Sequence, residues 1–118
     1  MQSKGSDALV KYLKTGKFEY KPAITIADSI SAGAPRNLYM AADAVEESNG
    51  FAIAVTDEEI LSAQKEFIKQ TGILCEPSSA SVYAAYKKLL AEDKLNSSDR
   101  NLLLITGNGL KDVEALRN

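Results

Sequence analysis

Apolar and polar positions along this chain follow two rhythms, a helical one throughout and a run-and-break one from the middle onward. The first third is polar and punctuated by Gly and Pro. Leu9, Val10 and Leu13 fall on one side of a short helix predicted over 6–13, which Gly16 stops. Lys17 to Pro22 reads as connecting chain. After the turn Gly33-Ala34-Pro35-Arg36-Asn37, the residues Leu38, Ala41, Ala42 and Val45 recur at helical spacing. Pro35 suits the first position of that second helix and Gly50 its C-terminal cap.

From Phe51 the pattern is regular. Phe51 to Val55 is a short apolar run containing β-branched residues, read as a strand. Thr56 and Glu59 have the spacing of a capping box, and Asp57, Glu58 and Glu59 favour the positive end of a helix dipole. Ile60, Ala63, Phe67 and Ile68 form the stripe of that helix, and Gly72 ends it. Ile73-Leu74-Cys75 is a second apolar run. Glu76-Pro77-Ser78-Ser79 opens a second long helix with Val82, Ala85, Tyr86, Leu89 and Leu90 on its stripe. Leu102 to Ile105 is a third run, followed by Thr106-Gly107-Asn108-Gly109 and a short final helix. Strands alternating with helices predict an α/β fold with βαβ units after residue 51 and a parallel sheet. One domain is expected, with 1–50 mainly helical and loop and 51–118 a βαβαβα unit. Two or three strands make a thin sheet, because parallel sheets are normally covered on both faces; this suggests a partial domain.

Composition narrows the chemistry. The 118 residues, 45% hydrophobic and 25% charged, are ordinary for a globular chain that buries roughly 65% of its unfolded surface. A net charge of −2 gives no nucleic-acid footprint, and no apolar run approaches a membrane span. Lys11, Lys14, Lys17 and Lys21 read as a solvated basic face. The start Met1-Gln2-Ser3-Lys4-Gly5 has no apolar core of a secretory signal, so a cytoplasmic setting is expected. There is no histidine and Cys75 is the one cysteine, which excludes an internal disulfide, a Cys/His zinc site and any His-activated nucleophile; no metal is expected.

In open α/β sheets ligands bind beyond the carboxyl ends of strands. Two loops qualify. In Glu76-Pro77-Ser78-Ser79 the plain reading is that Ser78 or Ser79 caps the helix and Pro77 starts it. In Thr106-Gly107-Asn108-Gly109 the paired glycines serve a tight turn or the close approach of backbone to a ligand; the third glycine of a dinucleotide loop is absent.

Together these segments resemble threonine synthases. Leu103-Leu104-Ile105-Thr106-Gly107-Asn108-Gly109-Leu110-Lys111-Asp112 is similar to their C-terminal signature, and Glu76-Pro77-Ser78-Ser79-Ala80 to their Glu-Pro segment. Thr25-Ile26-Ala27-Asp28-Ser29-Ile30, with Gly33 and Pro35 behind it, and Val55-Thr56-Asp57-Glu58-Glu59-Ile60 resemble two further segments in the right order. The resemblance covers nearly the whole chain, and its middle segments are shared with threonine and serine dehydratases. It implies the C-terminal part of a fold type II pyridoxal-phosphate (PLP) enzyme, a partial three-layer parallel-sheet domain. It implies an activity, a carbon–oxygen lyase of amino-acid biosynthesis, that turns O-phosphohomoserine and water into threonine and phosphate. Thr106 matches the residue that hydrogen-bonds the cofactor's pyridine nitrogen, where a hydroxyl does not enforce ring protonation as a carboxylate would. Gly107 and Asn108 match positions beside the ring, though histidine is common where Asn108 stands. Glu76 matches a position close to the ring.

The family's Schiff-base lysine, in a Ser-Phe-Lys-Asp setting, and its glycine-rich phosphate loop have no counterpart here. No residue of this chain is therefore expected to be the catalytic lysine; Lys111 reads as a helix-end charge. The isolated chain is expected to be inactive, to bind no PLP by itself, to need the N-terminal part of the enzyme as partner and to self-associate as a homo-oligomer. The alternatives are a dehydratase fragment, against which the Thr-Gly-Asn-Gly loop argues, and a non-enzymatic binding or assembly module that reuses the fold.

Overall fold

The computed structural model describes residues 1–96 and 98–113. Its elements follow the capping signals closely. β1 (Gln2–Ser3) leads through a 3₁₀ turn into α1 (Ala8–Thr15), which ends at Gly16 with φ 67°. α2 (Leu38–Glu47) begins three positions after Pro35, so Pro35 belongs to the turn and not to the first helical position. Its end also differs from expectation. Asn49 takes the left-handed conformation, φ 52°, while the Gly50 N–H reaches back to the Val45 carbonyl at 2.8 Å.

β2 (Ala54–Val55) runs parallel to β1, with Gln2 opposite Ala54 and Ser3 opposite Val55. The sheet thus draws one of its two strands from the first fifty residues, where none was predicted. α3 (Asp57–Thr71) starts on the expected capping box: Thr56 Oγ1 accepts from Glu59 N–H at 3.2 Å and Glu59 Oε2 from Thr56 N–H at 2.7 Å. Gly72, φ 74°, stops it. α4 (Pro77–Ala91) has Pro77 at its first position, and Glu76, not Ser78 or Ser79, is the N-cap residue.

The fold is α/β with a parallel sheet, but that sheet is narrower than the apolar runs suggested. Cys75 makes a single antiparallel bridge with Asn108, and Leu102 to Ile105 form no ladder. An apolar run becomes a strand only when a neighbour accepts its hydrogen bonds, and none stands beside this one among the described residues. The short final helix is a 3₁₀ turn over Gly109–Lys111; anything beyond residue 113 lies outside the described residues.

The core is small-residue packing between α3 and α4. Ala80, Ala84 and Ala85 of α4 meet Ile60 and Ala63 of α3, with Val55, Cys75 and Ala27 closing the cluster. Val82, Tyr86 and Leu90 are only half-buried, because the buried side of α4 is turned toward Ser78, Ser81 and the alanines. Gln64, 1% exposed, sits among the apolar residues and donates to the Cys75 carbonyl at 2.7 Å. No helix among the described residues is long and apolar enough to cross a membrane.

Candidate active-site segment

Asp57, in the first turn of α3, organises the N-terminal side of the site. Its carboxylate accepts from Ser3 Oγ at 3.2 Å, Thr25 Oγ1 at 2.6 Å and Ile26 N–H at 3.0 Å. These bonds fix the Thr25-Ile26-Ala27 segment and bury Ala27. Ser29, just beyond it, donates to Glu76 Oε2 at 3.1 Å. Glu76 is nearly buried, and the Lys111 ammonium lies 3.9 Å from the same oxygen. The carboxylate is thereby satisfied by groups from two distant segments, as a buried charge requires.

The 106–109 loop lies against the start of α4. Glu76 N–H donates to the Gly107 carbonyl and Gly109 N–H to the Leu74 carbonyl, each at 3.0 Å. Ser79 Oγ accepts from Gly107 N–H at 2.8 Å and Thr106 N–H at 3.2 Å. A Cβ on Gly107 would lie 1.9 Å from Glu76 Oε1, so glycine is required here by the carboxylate behind it. Asn108 Oδ1 accepts from Leu110 N–H at 2.9 Å and closes the turn.

Two loops that were expected to project from neighbouring parallel strands therefore meet by antiparallel contact. Their side chains also part company. From Leu102 to Leu110 exposure alternates: Leu103, Ile105, Gly107 and Gly109 are turned toward the body, while Leu102, Leu104, Thr106, Asn108 and Leu110 are exposed. Gly107 is the residue against Glu76, so Thr106 points the other way. A cleft of about 420 Å³ beside Glu76 is lined by Asp28, Ser29, Ser78 and Lys111 among others, and Thr106 is not part of it. The Thr106 side chain and the Glu76 cleft thus lie on opposite sides of one loop, although both segments were expected at the carboxyl ends of strands. Sequence reading missed Ser29, Asp57 and Ser79 in this assembly; the matching Thr25–Ile30 segment was the signal for the first of them. Cys75, below the loop, has its thiol pushed up from its ordinary value chiefly by burial and is a packing residue.

The profile of the pyridoxal-phosphate dependent enzyme family matches residues 1–107. The threonine synthase of Methanocaldococcus jannaschii is 43% identical over 118 residues, covering 98% of this chain and 29% of that protein. That of Methanosarcina acetivorans is 37% identical over 123 residues, again 98% of this chain and 29% of the relative. The crystal structure of a threonine deaminase from T.th. superposes with a TM-score of 0.62 over 75% of this chain and 32% of that one, at 22% identity, a likeness of fold. The chain spans under a third of the length of these relatives.

Proposed function

Because this chain belongs to the family of pyridoxal-phosphate dependent enzymes, we propose that it forms the C-terminal, ring-nitrogen side of a threonine synthase active site. The observation that carries this reading is Thr106. Its hydroxyl is exposed and has no partner among the described residues, while its own backbone N–H is tied down. A hydroxyl held in place and left open fits a cofactor that takes one hydrogen bond there. The similarity to threonine synthases over 98% of the chain favours that activity over a dehydratase.

When bound, PLP supplies an electron sink for carbanions formed next to the amino group. This chain's share is to hold the hydroxyl of Thr106 at the ring nitrogen without forcing a proton onto it. Asn108, on the same open face, lines the approach. Glu76 acts from behind the loop, filling the space under Gly107. The lysine that would carry the cofactor and the loop that would bind its phosphate come from the remainder of the enzyme in this reading. The whole reaction is water addition to O-phosphohomoserine with release of phosphate.

The test is complementation. The chain is mixed with the N-terminal part of the Methanocaldococcus jannaschii threonine synthase and PLP. Phosphate release from O-phosphohomoserine is expected from the mixture and from neither part alone. Thr106→Val should lower turnover about tenfold, the equivalent of ~1.4 kcal/mol for one hydrogen bond. A mixture that deaminates threonine but ignores O-phosphohomoserine would assign the dehydratase reaction instead, and unchanged turnover in Thr106→Val would remove Thr106 from the site.

A further inference from the structure

Ser79 lies in the first turn of α4 and is 3% exposed. A serine at such a position ordinarily turns its hydroxyl to the backbone of its own helix. Here the hydroxyl accepts from two successive amides of a loop 27 and 28 positions away. Pairing of Glu76 N–H with the Gly107 carbonyl and of Gly109 N–H with the Leu74 carbonyl holds the far side of that loop. Neither bond reaches the Thr106 amide. Upstream, the Ile105 side chain packs against the core, but the backbone groups of Leu102 to Ile105 have no hydrogen-bond partner among the described residues, so no backbone bond before Thr106 sets its orientation.

We propose that Ser79 is a positioning residue, a two-pronged acceptor that fixes the peptide planes on either side of Thr106 and so aims its hydroxyl outward. The proposal rests on the reading of Thr106 given above for its functional meaning, but not for its geometry. With Ser79 removed, two partly buried amide donors lose the one acceptor they have among the described residues, and the loop pivots about the Glu76–Gly107 contact.

Residue-resolved amide hydrogen exchange on the full chain tests this. In the unmodified chain the Thr106 and Gly107 amides should exchange about fivefold more slowly than the amides of Leu103 and Leu104, as net hydrogen-bond energies near 1 kcal/mol imply. Ser79→Ala should abolish that protection and leave the Glu76 and Gly109 amides unchanged; Ser79→Thr, which keeps the oxygen, should restore it. In the complemented enzyme, Ser79→Ala should shift the cofactor's visible band in the direction that Thr106→Val does, and Ser79→Thr should not. The proposal is overturned if the unmodified chain shows no protection at Thr106 and Gly107, a comparison that needs no variant to fold. It is equally overturned if Ser79→Ala speeds exchange at all four amides alike. An inert Thr106→Val combined with protected amides would defeat the functional reading and leave the clamp standing.

Discussion

At the scale of single residues, the site is built on exclusion of volume as much as on polar contact. Gly107 exists as glycine because the Glu76 carboxylate occupies the place of its missing side chain. Gly107→Ala should therefore destabilise the chain by about 1–3 kcal/mol, in the range of overpacked interiors, measured by urea unfolding. In a Glu76→Ala background most of that penalty should vanish, and a double-mutant cycle reads the difference directly. The segments that carry Thr106, Gly107, Asn108 and Glu76 could be singled out because each is a stretch of consecutive residues, and the structure brings those two segments into contact. Ser79 and Asp57 could not be, since their partners lie 27 to 54 positions away and no local pattern announces them. Glu76 shows the limit in another way: its position could be read, but that it faces Ser29 and Lys111 and not the side of Thr106 depends on the alternation of an extended segment whose neighbours the sequence did not reveal.

At the scale of elements, helices were more legible than strands, because a helix is closed by residues near at hand and a strand by residues far away. The Thr56–Glu59 capping box is the clearest case; Thr56→Ala should cost about 1 kcal/mol of stability in chemical denaturation. Leu102 to Ile105 is the counterexample, apolar on both faces yet without a ladder. The α3–α4 pair carries an electrostatic link as well. The Glu66 carboxylate is bonded by Lys87 Nζ and by Tyr83 Oη, and these bonds hold its pKa below the ordinary 4.5. A carboxyl depressed in the folded chain stabilises it above the unfolded value and ceases to do so as pH falls through the folded one. Stability should accordingly decline below pH 4.5, and Glu66→Gln should flatten that decline in thermal melts taken from about pH 6 down to about pH 3. The link is solvent-exposed, so the slope is shallow.

At the scale of the whole molecule, the apolar positions that face solvent include one extended stretch: Leu102 is 84%, Leu104 64% and Leu110 72% exposed. Uncovered leucines beside unpartnered backbone favour association with another chain. Light scattering of the isolated chain at micromolar concentration should show dimers or larger species, and Leu102→Lys with Leu104→Lys should shift them toward monomer. A monomer before substitution would mean that the face is tolerated as it stands. The two-stranded sheet carries a different consequence, one of timing. Ser3 and its ladder partner Val55 must find each other for β1 and β2 to join, and closing so long a loop slows folding. The α3–α4 hairpin has no such wait, since its contacts are local. Pulse-labelled exchange during refolding should find the amides of α3 and α4 protected while that of Gln2, which pairs with the Ile53 carbonyl, is still open to solvent.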